Sequence, residues 1–157
     1  MPIYKKLKVW LLMGLIFVAL DFGKSAFASD IILKDLNSQA VNLFSYTGKP
    51  AILFFWTTWC PYCRKELNRL NEQYLELLKE GIVPLVVNVG ESSSKVKRFF
   101  KGYQFKPRVI LDQEWHLADK YDLIGVPTYV FLDKTGKVVA KTHNLPADYK
   151  SILFKQR

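Results

Sequence analysis

A chain of 157 residues, half of them apolar or aromatic, supplies one hydrophobic core but is short for two domains. Its 15% aromatic content excludes a disordered protein, because burying such rings offsets the entropy of ordering the backbone. A formal net charge of +9 suggests nucleic acid as a partner, yet no nucleic-acid motif is present, and an anionic membrane surface or an acidic partner suits the charge better.

Lys5, Lys6 and Lys8 precede an apolar run from Val9 to Leu20 that stops at Asp21, the pattern of a targeting segment. As a helix the run is about 18 Å long, short of a bilayer core of about 30 Å. Ala26-Phe27-Ala28 places small residues where a signal peptidase reads them, so a cut between Ala28 and Ser29 is expected. Residues 1–28 then form a signal peptide and residues 29–157 the working domain. An uncleaved anchor held by Tyr4 and Trp10 at the membrane surface is the alternative. Either way the domain is exported, to the periplasm or otherwise out of the cytoplasm. Cleavage removes Lys5, Lys6, Lys8, Lys24 and Asp21, and the domain stays basic.

Next, Ile31 to Leu33 and Val41 to Leu43 flank Asn37-Ser38-Gln39 and predict an N-terminal hairpin. Ala51 to Trp56 is an unbroken apolar run, as a strand buried on both faces requires. From Pro61 to about Glu80 the period becomes helical, with Cys63, Leu67, Leu70, Tyr74, Leu77 and Leu78 on one face and Gly81 as the stop. Ile82 to Val89 predicts a second buried strand, with Pro84 tolerated near its start. Ser92 to Ser94 can cap a helix whose inner face is Val96, Phe99, Phe100 and Tyr103. A strand at Val109 to Leu111 and a helix at Trp115 to Tyr121 follow. Two strands, Thr128 to Leu132 and Lys137 to Thr142, are joined by Asp133-Lys134-Thr135-Gly136, and a helix from Ala147 to Phe154 ends the chain. This order predicts an α/β fold, a central mixed β-sheet flanked by helices with an added N-terminal hairpin.

The chain has two cysteines, Cys60 and Cys63, and a disulfide across so short a loop constrains the unfolded chain little, so chemistry explains the pair better than stabilisation. They fall where a buried strand hands over to a long helix. Free amides and the helix dipole favour a thiolate at Cys60, Arg64 and Lys65 add positive charge, and Cys60 is expected to be the exposed, attacking sulfur. Cys63, on the buried face, would resolve, and Pro61 suits the first helical position. A zinc site would need two more ligands, and only His116 and His143 are available, far apart in sequence. Trp59 and Tyr62 are read as an apolar rim for substrate, and Trp56 as core. Lys95, Lys97, Arg98, Lys101, Lys106 and Arg108 are read as a solvated basic face.

Trp59-Cys60-Pro61-Tyr62-Cys63-Arg64-Lys65-Glu66-Leu67, with Gly125-Val126-Pro127-Thr128 downstream, resembles the TlpA/ResA-like branch of the thioredoxin superfamily over nearly the whole mature chain. The resemblance implies a thioredoxin fold, a cis proline at Pro127 against the disulfide, and a Val126 backbone free to pair with an extended substrate. It also implies a functional Glu66. On the helix Glu66 lies at the edge of the buried face, where it could exchange the Cys63 proton; the same residue could instead be exposed and paired with Lys65 or Arg69. Phe54 stands where thioredoxins proper carry a buried aspartate, and Pro61-Tyr62 is the glutaredoxin dipeptide.

Catalysis is thus assigned to Cys60, Cys63, Glu66 and Pro127, and substrate contact to Trp59, Pro61, Tyr62 and Val126. The expected activity is reduction of protein disulfides, with no cofactor beyond the Cys60–Cys63 pair and with a monomeric enzyme. Its relatives imply a membrane thiol-disulfide electron donor and apocytochrome c as a substrate. Oxidation or isomerisation in the opposite direction, and copper binding by Cys60, Cys63 and His143, are the alternatives at this level.

Overall fold

Two short strands open the described chain, which runs from residue 31 to residue 154 in the computed structural model; residues 1–28, expected to be a signal peptide, lie outside the described residues. These strands, β1 (Ile32–Asp35) and β2 (Ala40–Asn42), form the expected hairpin. Asp35 shapes its turn by accepting the Asn37 and Gln39 amides, each at 2.9 Å. A 3₁₀ turn over Leu43–Tyr46 leads into β3 (Ala51–Trp56). The long helix α1 (Pro61–Lys79) follows, then β4 (Val83–Val89), α2 (Ser93–Phe99), β5 (Arg108–Asp112), α3 (His116–Lys120), β6 (Thr128–Leu132), β7 (Val138–Thr142) and α4 (Tyr149–Phe154).

The strands form one seven-stranded sheet in the order β2-β1-β5-β4-β3-β6-β7. β3 runs parallel to β4 and antiparallel to β6, and all six of its residues are buried. Its alternate side chains feed two cores, which is why the run had to be apolar without interruption. Ile52, Phe54 and Trp56 pack with Leu67, Leu70 and Leu77 of α1, Val96 of α2 and Leu153 of α4. Leu53 and Phe55 pack on the other face with Leu117 and Ala118 of α3 and Leu43 of the 3₁₀ turn. Pro84 pairs with Ile52 of β3, whereas the β4–β5 register begins only at Leu85, so its missing N–H breaks no ladder on that side.

Three expectations are corrected. Leu78 is 44% exposed and does not join the inner face of α1, because the helix is in its last turn there and Gly81 then reverses the chain at φ +74°. Tyr103 is 40% exposed and lies beyond α2, which ends at Phe99; Phe99 meets Trp56 tilted and Phe100 meets it edge-on, with ring centroids 5.0 and 5.4 Å away. Ser92 is the cap residue of α2 but makes no side-chain cap bond; its hydroxyl meets that of Ser94 at 3.2 Å.

Candidate active site

β3 ends at Trp56, and Thr57, Thr58 and Trp59 carry the chain over the edge of the sheet to Cys60, the N-cap of α1. Cys60 and Cys63 are joined as a disulfide, with Cα atoms 5.3 Å apart. The Cys63 N–H donates to Cys60 Sγ at 3.2 Å, so one of the free amides at the helix start is spent on that sulfur. That bond, with the helix dipole behind it, favours negative charge on Cys60 once the pair is reduced. Pro61 occupies the first turn, where its missing N–H has no helical partner to lose.

Burial separates the sulfurs less than expected. Cys63 is fully buried, but Cys60 is itself only 4% exposed, and the Val126 carbonyl lies 3.9 Å from its sulfur. Access to Cys60 is therefore confined to its edge, next to the cis Val126–Pro127 bond. Trp59 and Tyr62 project beside it, 65% and 76% exposed. Arg64 is drawn aside: its guanidinium donates to the Thr58 carbonyl at 3.2 Å and lies 5.7 Å from the Phe99 ring centroid.

Glu66, one turn beyond Cys63, is buried rather than paired with a surface cation. Its Oε2 accepts the Tyr129 hydroxyl and the Leu145 amide, each at 3.0 Å. Burial first, and then the neighbouring Glu66, hold the Tyr129 hydroxyl far above its usual range, so it remains a donor. Close to Leu145 in the chain, His143 Nδ1 meets the Pro127 carbonyl at 2.9 Å, where only the ring nitrogen can donate. The loop after β7 thus touches both the cis-proline segment and Glu66. His143 is itself exposed and reaches the site through that one bond.

A second buried carboxylate was not legible in the sequence. Glu91, just past β4, accepts the Thr58 amide at 2.7 Å, the Thr58 hydroxyl at 2.8 Å and the Asn88 amide group at 2.8 Å, and pairs with Lys95 at 2.6 Å. Burial opposes its charge, but the bonds from Asn88, Lys95 and Thr58 prevail and hold its carboxyl below the usual glutamate value. The network clips the loop before Cys60 to the end of β4. Its one sequence signal is Asn88, a polar residue inside an apolar strand. Lys95 keeps 47% of its side chain exposed while it pairs with Glu91, whereas Arg108 leaves the solvated basic face to pair with the buried Asp35 at 2.8 Å. A cavity of about 430 Å³ lies beside that pair, lined by Tyr74, Phe100 and Tyr103, and includes neither cysteine.

Among the described residues no helix is long and apolar enough to cross a membrane. The family model described as AhpC/TSA family matches residues 25–141. The thiol-disulfide oxidoreductase ResA of Bacillus subtilis (strain 168) is 34% identical over 131 residues, covering 80% of this chain and 73% of its own. The exposed lipoprotein thioredoxin Etrx1 of Streptococcus pneumoniae strain TIGR4 superposes with a TM-score of 0.69 at 27% identity, over 78% of this chain and 96% of its own. StoA of Bacillus subtilis shares the fold, with a TM-score of 0.66 at 24% identity over 76% and 92% of the two chains. A matching family over most of the chain, and a relative whose name describes the chemistry that two cysteines at a helix start can perform, lead to one conclusion: the chain belongs to the AhpC/TSA family, as a thioredoxin-fold thiol-disulfide oxidoreductase of the ResA type.

Proposed function

We propose that the chain is an exported protein-disulfide reductase that works as a monomer and is recharged by a membrane thiol-disulfide donor. The observation that carries this reading is the pairing of a capped sulfur with a buried carboxylate: Cys60 accepts the Cys63 amide, and Glu66 lies buried one turn on, beside Tyr129. The reduced Cys60 thiolate attacks a substrate disulfide, forming a mixed disulfide and releasing the first substrate sulfur as a thiolate that takes a proton from solvent. Cys63 then gives its proton to Glu66 and attacks Cys60 Sγ, which expels the second substrate sulfur. The substrate gains two electrons and the enzyme ends as the Cys60–Cys63 disulfide. Pro127 and Val126 border the sulfur that is attacked, and Trp59, Pro61 and Tyr62 meet the substrate at its rim.

Export rests on the charged and apolar pattern of residues 1–28. Apocytochrome c, with two cysteines that must be reduced, is the substrate we favour. The direction is tested by the equilibrium potential of the pair in a redox buffer. A value below about −220 mV is expected, and one near about −120 mV would overturn the reductive assignment in favour of disulfide donation.

A further inference from the structure

Beside the redox loop is a cavity of about 330 Å³ lined by Thr57, Trp59, Trp115, Leu123, Ile124 and Val126 among others, none of them charged. Three of its walls are exposed apolar side chains: Trp59, Trp115 at 50% and Ile124 fully. Large apolar groups gathered in the open around one hollow mark a contact surface. Trp115 is also held there at a cost. It adopts a left-handed backbone, φ 63°, which a bulky residue seldom takes. Its ring lies against Gly90, where a Cβ would come within 2.8 Å of the indole. Gly90 itself has φ +69°, so two unusual backbone positions meet to seat one exposed ring.

We propose that Trp115 is a specificity residue, and that this cavity receives one bulky apolar side chain lying within two residues of the disulfide cysteine in an extended substrate. The inference rests on the thiol-disulfide exchange reading above. Continuity with the redox site identifies the occupant. Thr57 and Trp59 lead into Cys60, and Val126, whose carbonyl lies against Cys60 Sγ, closes the other wall. A segment laid across Cys60 therefore presents its neighbouring side chains here. Extended chains place alternate side chains on one face, about 3.3 Å apart per residue, so a residue one or two along is in reach. An apolar cavity of about 150 Å³ already holds a benzene ring, so this one has room for Leu, Met or Phe. The uncharged walls of a basic chain also point to an apolar occupant rather than an acidic one.

The test uses the mature protein and a set of disulfide-linked peptides that carry Leu or Ser at each position within two residues of the cysteine. Each rate is divided by the same variant's rate on oxidised 2-mercaptoethanol, which reports exchange chemistry alone. For the unaltered protein, Leu at the favoured position is expected to raise kcat/KM about tenfold over Ser. Trp115→Ala is expected to cut that preference to about twofold, and Trp115→Phe to restore most of it. Gly90→Ala, which displaces the ring, should act like Trp115→Ala. Equal rates on the Leu and Ser peptides, or a preference unchanged in Trp115→Ala, would overturn the proposal. So would a concentration-dependent dimer by light scattering that Trp115→Ala abolishes, since the occupant would then be a second copy of this chain. Failure on peptides and 2-mercaptoethanol alike would instead sink the exchange reading beneath it. If exchange runs only towards oxidation, the same peptides as dithiols read the preference.

Discussion

Glu66 and Glu91 are both buried carboxylates, one a turn beyond Cys63 and the other bonded to the loop before Cys60, and their partners separate chemistry from scaffolding. Glu66 accepts from Tyr129 and Leu145 through a single oxygen, and a glutamine can present the same acceptor. Glu66→Gln is therefore expected to keep stability within about 1 kcal/mol while altering the pH dependence of mixed-disulfide resolution, read by stopped-flow kinetics. An unchanged pH profile would remove Glu66 from the proton path. Glu66→Leu strands a buried hydroxyl and a buried amide, and urea denaturation should show a loss of about 2–4 kcal/mol. For Glu91 the structure predicts the reverse emphasis: Glu91→Ala removes the acceptor of the Thr58 amide and hydroxyl, leaves Asn88 only its 3.4 Å bond to the Trp56 carbonyl, and should cost about 3 kcal/mol in the same titration. The cysteine pair and the edge position of Glu66 on the helix were legible because motif and helical spacing are local, while the cis bond at Pro127 came from the family resemblance. Tyr129, Leu145 and Thr58 were not legible, because each meets its carboxylate across a sequence gap of 63, 79 or 33 residues that only the closed sheet removes.

At the scale of elements, α1 shows how far periodicity can be trusted. Cys63, Leu67, Leu70 and Leu77 fall on the buried stripe as spacing dictates. Leu78 satisfies the same spacing yet is 44% exposed in the last turn of the helix. Leu77→Ala should therefore cost about 2–5 kcal/mol in thermal or urea unfolding, and Leu78→Ala no more than about 0.5 kcal/mol. The hairpin and the β6–β7 turn were legible from their turn residues. The joining of β1 to β5, which ties the hairpin into the sheet, was not, because it depends on a long-range pairing of Lys34 with Leu111. The short α3, by contrast, is set locally: Asp112, at the end of β5, accepts the Leu117 and Ala118 amides at 3.1 and 2.8 Å.

For the whole molecule, charge and acid stability are linked through these buried groups. Asp35, Glu91 and Asp133 are each opposed by burial, yet their hydrogen bonds hold them below the usual carboxylate range. A depressed carboxyl contributes stability that is complete above its unfolded value, about 3.9 for Asp and 4.3 for Glu, and is lost as pH falls through the lower folded value. Asp112 acts with the opposite sign: burial raises it, so protonation as pH falls favours the fold and offsets part of that loss. The melting temperature should accordingly hold between about pH 7 and pH 5 and drop below about pH 4. Glu91→Gln should make that acid drop shallower, as a pH series of thermal melts would show.

Both sulfurs also belong to the core cluster that holds Phe54, Trp56 and Leu70, and this ties electron transfer to folding through a closed thermodynamic square. Its corners are the folded and unfolded chain, each as dithiol or disulfide. The voltage of the folded pair less that of the unfolded pair must equal the difference in folding free energy between the two redox forms, with about 30 mV standing for about 1.4 kcal/mol. For a reductant the disulfide form resists urea better than the dithiol form; for an oxidant the order is reversed. Two denaturation curves thus read a voltage without an electrode. Conversely, a core substitution that favours one redox form over the other retunes the enzyme's driving force while leaving each cysteine untouched.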